Sequence, residues 1–189
     1  MKNSAIFPMM FVPLLMVFVS CQNNVNKLDK PEKIQGIPCS EYASRYENGK
    51  LKETILGEND TLNGNYLPRG TRICLTEDGS LQWCFLRDDL MIQGLPCKGE
   101  GVGEWQISFY PNGKLQTVWL ARPTEIQGVT AMEASFWNDK AGGVEVLLYD
   151  NGNLRQCKVA KTCIIQGVKV KRGDHVQFKP DGKLVNVSN

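Results

Sequence analysis

The chain has 189 residues with 22% charged and 42% hydrophobic side chains, enough for one packed domain and too apolar for a disordered chain. Formal net charge is +2, of which Lys2 supplies one unit within an acid-free leader. A near-neutral chain without runs of like charge lacks the basic surplus that phosphate binding requires, so nucleic acid is not expected as a partner.

Residues 1–21, MKNSAIFPMMFVPLLMVFVSC, place one lysine before an uncharged and mostly apolar stretch from Ala5 to Val19, followed by a small residue, Ser20. This is the layout of a secretory signal. The stretch is shorter than the roughly twenty residues of a spanning helix and contains Pro8 and Pro13. Its end, Val17-Phe18-Val19-Ser20-Cys21, resembles a bacterial lipobox. The resemblance implies cleavage after residue 20 and acylation of Cys21. Two or more acyl chains hold a domain on a bilayer durably, because each buried methylene contributes about 0.8 kcal/mol. By the same resemblance Gln22, rather than Asp, implies the outer membrane. Polar residues 22–33 then form the rest of a lipidated tether, residues 21–33.

From residue 34 to the end, two short motifs alternate. Ile-Gln-Gly occurs at Ile34-Gln35-Gly36, Ile92-Gln93-Gly94, Ile126-Gln127-Gly128 and Ile165-Gln166-Gly167, with the variant Leu62-Asn63-Gly64. Asn/Asp-Gly-x-Leu ends at Leu51, Leu81, Leu115, Leu154 and Leu184. Each turn glycine is followed 15 residues later by the glycine of the other motif: 49 to 64, 79 to 94, 113 to 128 and 152 to 167. The intervening gaps are 13, 15, 19, 24 and 15 residues, so half of each unit is constant and half accepts insertions.

Pro111-Asn112-Gly113 and Pro180-Asp181-Gly182 suit a type I turn closed by a left-handed glycine, the signature of a bulged hairpin. In that hairpin the residue four before the glycine faces the residue two after it, pairing Leu75 with Leu81 and Phe109 with Leu115. The strands before the turns alternate, as in Ile73-x-Leu75 and Val176-x-Phe178. The first unit departs from this with Ala43-x-Arg45 and reads as a frayed or capping unit. Adjacent apolar pairs at Ile55-Leu56, Phe85-Leu86 and Trp119-Leu120 leave neither face of a strand polar. The expected fold is therefore all-β, an antiparallel meander of about five hairpin units over residues 34–189, barrel- or sandwich-like rather than a flat ribbon.

The segments Tyr110-Pro111-Asn112-Gly113-Lys114-Leu115 and Tyr46-Glu47-Asn48-Gly49-Lys50-Leu51 resemble the MORN-variant repeats of bacterial envelope proteins. The resemblance covers most of residues 34–186 and implies hairpin architecture with an interaction or scaffold role. It transfers no catalytic residue, and the units here are longer than MORN units.

Beyond Cys21 there are cysteines at 39, 74, 84, 97, 157 and 163. An exported domain meets an oxidising compartment, and Cys157 and Cys163 flank a turn near Ala160, making them the candidate disulfide. Cys74 and Cys84 straddle a hairpin diagonally on one face, a marginal reach. The alternative is that most are small buried side chains. No metal site or cofactor is expected, because no Cys-x-x-Cys occurs and His175 is the sole histidine.

No nucleophile triad can be assembled without His175, and Gly99-Glu100-Gly101-Val102-Gly103 lacks phosphate-loop spacing. The insertions all fall between Ile-Gln-Gly and the next hairpin, so they should emerge on one edge of the array. The longest, Thr130 to Gly143, carries Phe136 and Trp137 beside Asp139. These three, with Trp105 from the preceding insertion, are the candidate contacts for a protein or glycan partner. Otherwise the aromatics fold back over the core. The functional expectation is a non-catalytic envelope binding or structural module. The alternatives are a glycan hydrolase using two of Glu104, Glu133 and Glu145, or an inhibitor of another envelope protein.

Overall fold

A computed structural model describes residues 25–99, 105–135, 137 and 143–188. The leader, Cys21, Glu104, Phe136 and Asp139 lie outside the described residues. Among those described, no helix is long and apolar enough to cross a membrane.

The chain is all-β. Five bulged hairpins lie side by side: β3 (Ile37–Arg45) with β4 (Leu51–Leu56), β7 (Arg72–Leu75) with β8 (Leu81–Phe85), β11 (Ile107–Phe109) with β12 (Leu115–Val118), β15 (Val146–Leu148) with β16 (Leu154–Lys158), and β19 (His175–Phe178) with β20 (Leu184–Ser188). Together with β1 (Val25–Lys27) and β2 (Glu32–Ile34), which both pair with β3, they form a 12-stranded antiparallel meander. Between them run four short hairpins: β5 (Asp60–Leu62) with β6 (Asn65–Leu67), β9 (Leu90–Ile92) with β10 (Leu95–Cys97), β13 (Thr124–Ile126) with β14 (Val129–Ala131), and β17 (Cys163–Ile165) with β18 (Val168–Val170).

The long hairpins close as their turn residues dictate. Gly49, Gly79, Gly113, Gly152 and Gly182 all have φ between 79° and 91°. The partner register is Arg45–Leu51, Leu75–Leu81, Phe109–Leu115, Leu148–Leu154 and Phe178–Leu184. Asn48, Asn112, Asn151 and Asp181 accept the backbone N–H two residues on, as Asn48 Oδ1 does from Lys50 at 3.0 Å, and at the second turn the Ser80 N–H donates to Thr76 Oγ1.

The short hairpins turn at Gln-Gly or Asn-Gly with two left-handed residues in succession, for example Gln93 at φ 49° and Gly94 at φ 81°. This is a type I′ turn, which matches the twist of two-residue hairpins but places a non-glycine residue in an unfavourable region. The glutamine side chain offsets that cost. Its Oε1 accepts the N–H of the leucine after the following turn: Gln35 from Leu51 (3.2 Å), Gln93 from Leu115 (3.3 Å), Gln127 from Leu154 (3.1 Å) and Gln166 from Leu184 (3.0 Å). The shorter Asn63 does the same for Leu81 at 2.6 Å. Each staple spans the variable half of the unit, which explains why insertions leave the architecture intact. Replacing Gln93 with Leu should cost about 1–3 kcal/mol in urea denaturation, because the Leu115 N–H, the Asn65 side-chain oxygen and the Gly113 carbonyl each lose a partner. Gln93→Asn should stay within about 1 kcal/mol of the wild type, because Asn63 already performs this role.

A second ladder joins neighbouring units. The motif tyrosine donates its hydroxyl to the next unit's carbonyl: Tyr46 to Leu75 (2.6 Å), Tyr110 to Leu148 (2.9 Å) and Tyr149 to Phe178 (2.8 Å). The second unit has Thr76 at this position.

The core lies between the sheet and the row of short hairpins. Leu51, Leu81, Leu115 and Leu154 from the sheet, each about 1% exposed, pack in one cluster with Ile34, Ile92, Ile126 and Ile165 from the hairpins. The architecture is thus the expected all-β antiparallel meander, in two layers, and of the two expected forms, barrel and sandwich, the barrel does not close: the sheet order runs from β1 to β20, which do not pair. The adjacent apolar pairs divide between the two faces of the sheet. Leu56, Leu86 and Leu120 are buried in the core, while Ile55, Phe85 and Trp119 stand half-buried on the opposite face and close no second wall. The first unit is a paired hairpin with Ala43 buried, capped at its edge by β1 and β2 rather than frayed.

Candidate functional site on the outer face

The face of the sheet turned away from the short hairpins carries its chemistry in rows. Strand pairing aligns Ser44, Glu53, Cys74, Trp83, Ser108, Thr117, Leu147, Gln156, Gln177 and Asn186 across ten strands. At strand spacing this row runs roughly 40 Å. One position along, Ile55, Arg72 and Phe85 are aligned at one end and Lys158, His175 and Ser188 at the other.

At the end formed by β3, β4, β7 and β8, Glu53 Oε1 accepts from Arg72 Nε at 2.6 Å and from the Tyr42 hydroxyl at 2.7 Å. The Arg72 guanidinium lies 5.7 Å from the Trp83 ring centre and 5.5 Å from that of Phe85. The two rings meet edge to face at 5.3 Å. Arg72 is therefore held by a carboxylate and two π faces while its side chain stays 40% exposed. Burial, followed by the hydrogen bond to Glu53, pushes the Tyr42 hydroxyl well above the usual phenol range, so it remains a donor. Cys74, behind this cluster, is pushed up to about 11, first by burial and then by Glu53. It is a neutral thiol at ordinary pH rather than a nucleophile.

Towards the middle of the face, the described parts of the two longest insertions converge. Trp105 from one, with Met132, Ala134 and Val144 from the other, forms a second apolar cluster against Trp119 and Ala160. Trp105 is 7% exposed, and its ring centre lies 5.1 Å from that of Trp119. Trp105 accordingly packs between the insertions and presents little surface to a partner. Its Nε1 is buried without a hydrogen bond among the described residues. Among the described candidates, Trp137 is 78% exposed and is the aromatic presented to solvent.

Beside this cluster, Lys158 is buried and pairs across the sheet with His175. Glu145 and His175 flank Gly143, whose absent Cβ would lie 3.2 Å from Glu145 Oε2 and 3.5 Å from His175 Cε1. Among the described residues, no three His, Cys, Asp or Glu are grouped so as to hold a metal ion.

Cys157 and Cys163, the expected bridge, are not bonded to each other in this structure. Cys157 is paired with Val176 in the large sheet and Cys163 with Val170 in the last short hairpin. Cys157 is pushed up to about 12 by burial and then by the neighbouring Cys163. The expected common face of Cys74 and Cys84 is also corrected. The hairpin bulge shifts the register, so that Cys84 faces Ile73 within the core while Cys74 faces Trp83 on the other side.

The outer-face array at Glu53, Arg72 and Trp83 was not anticipated from the sequence. An available signal was the alternation Glu53-x-Ile55, Arg72-x-Cys74 and Trp83-x-Phe85, which places one arginine, one acid and two aromatics on the non-core parity of neighbouring strands.

No family model matches the chain, and neither a curated protein nor a solved structure matches it.

Proposed function

We propose that the protein is a non-catalytic binding module of the bacterial cell envelope, built from MORN-like hairpin repeats and tethered to the outer membrane by acyl chains on Cys21. The observation that carries the reading is the outer face. There Arg72, Trp83 and Phe85 are held rigid and half-buried; separately, the longest insertion exposes an aromatic side chain at Trp137. Rigid aromatic and arginine side chains contribute most at interfaces, since little conformational entropy is lost when a partner covers them. The core meanwhile commits the inner faces of the sheet and of the short hairpins to packing.

The test is in-cell crosslinking of the intact lipoprotein followed by mass spectrometry. Replacing Arg72 and Trp83 together with Ala is expected to lower capture of the recovered partner at least tenfold, about 1.4 kcal/mol or more, while strand circular dichroism is retained. Unchanged capture would remove the outer face as the contact surface. Absence of any crosslinked protein or glycan would remove the binding reading itself.

An enzymatic reading distinct from the two-carboxylate one draws on Glu145 and His175, both beside Gly143, and on Lys158, paired with His175 across the sheet. It requires turnover of an envelope glycan that His175→Ala abolishes.

A further inference from the structure

Charge is distributed unevenly along this near-neutral chain. Residues 151–189 carry eight Lys or Arg against Asp174 and Asp181, whereas residues 22–150 carry thirteen basic and eighteen acidic side chains. Asp174 is itself buried, and its Oδ2 accepts the Lys171 backbone N–H at 2.8 Å. Asp181 lies 3.5 Å from Lys183. The last unit is therefore a basic end on an otherwise acidic array, and the field there attracts anions.

The outer face at this end holds an open cavity of about 350 Å3, within the size range of small-ligand sites. Arg155, Lys179, Gln156, Gln177, Tyr149 and Val185 line it, and no carboxylate does. The cations are spaced by the fold: Arg155 lies on β16 with its guanidinium 5.9 Å from the Tyr149 ring centre, and Lys179 directly follows β19. Tyr149 is fixed by its bond to the Phe178 carbonyl. The two amides are linked through Gln177 Nε2 donating to Gln156 Oε1 at 3.1 Å. That bond leaves one amide nitrogen and one amide oxygen unused by the pair, a donor and an acceptor side by side. Val185, 56% exposed, adds an apolar surface.

We propose that this cavity binds an acidic sugar: a carboxylate against Arg155 and Lys179, hydroxyls on the Gln156 and Gln177 amides, and the C–H face of the ring on Val185. Two cations answer a carboxylate, paired amides answer the donor–acceptor character of hydroxyls, and an aliphatic floor answers a ring face. A plain anion would use only the first of these. The inference deepens the binding-module reading and rests on it, by naming the ligand class of one end of the outer face.

The experiment is calorimetric titration of the full-length lipoprotein in neutral detergent with trigalacturonate, with galactotriose as the uncharged analogue and inorganic pyrophosphate as the sugar-free anion. Trigalacturonate is expected to bind at least tenfold more tightly than either control. Arg155→Ala, Lys179→Ala and Gln177→Ala are each expected to weaken it at least tenfold, and added salt should weaken it further. All three residues are exposed, so their replacement leaves the core untouched. No binding of trigalacturonate, binding indifferent to the three variants, or pyrophosphate binding as tightly as the sugar would each overturn the proposal. In-cell capture of a partner that these variants leave unchanged would overturn the cavity's role while sparing the binding module.

Discussion

Gly113→Ala is expected to destabilise the protein by about 3–5 kcal/mol in urea denaturation, several times more than the same change at Gly79 or Gly152. All three glycines sit at φ between 79° and 91°, where an L side chain costs about 1–2 kcal/mol. Their surroundings separate them. A Cβ at Gly79 or Gly152 meets nothing within 4 Å, so the backbone term is the whole effect there. A Cβ at Gly113 would lie 2.6 Å from the Asn63 carbonyl oxygen, a main-chain atom of the short hairpin three turns earlier in the chain. The same glycine's carbonyl accepts from Asn65 Nδ2 at 3.0 Å and from Gln93 Nε2 at 2.8 Å, in a knot where Asn65 is buried. Moving the turn to make room pulls it off both donors, and a buried amide left unpaired costs about 1–3 kcal/mol. A Gly113→Ala loss no larger than that of Gly79→Ala would mean that this knot yields freely and that the units are not locked to one another here.

Trp105→Ala is expected to cost about 3–5 kcal/mol, whereas Trp137→Ala stays within about 0.5 kcal/mol. Trp105 fills the cluster that holds two insertions against Trp119, so truncation leaves a cavity lined by Met132, Ala134 and Val144. Because its Nε1 has no hydrogen-bond partner among the described residues, Trp105→Phe should cost less than about 1.5 kcal/mol. Trp137, 78% exposed, has little buried area to lose. The same pair discriminates function from packing: partner capture should fall with Trp137→Ala at unchanged stability. A large stability loss at Trp137 with unchanged capture would place that side chain among the packing residues and withdraw it from the binding surface.

The hairpins were legible because each is a local event. Asn-Gly and Asp-Gly bring their own left-handed glycine and Asx hydrogen bond, so Leu75–Leu81 and Phe109–Leu115 pair as their spacing predicts. The parity beyond the bulge was harder to read. One extra residue exchanges the faces of the strand, which is why Cys74 and Cys84 were expected together and lie apart. The glutamines were visible as a repeat, but their purpose was not: Gln127 and Leu154 are 27 residues apart in sequence and joined by one bond. Trp105 and Trp137 looked alike as aromatics in insertions, and only their surroundings distinguish a packing side chain from a presented one.

By itself, the amino-acid order determined where the chain reverses, which residues alternate into a core and that the result is all-β, since turn chemistry and period-two patterning act over a few residues. The tertiary structure alone decided that the sheet stays open and is covered on one side by short hairpins. It alone gathered Glu53, Arg72 and Trp83 from separate strands and set Arg155 beside Lys179 at the basic end. Those outcomes depend on how far apart layers and strands settle in space, and backbone conformation over a few residues does not encode contacts between units tens of residues apart.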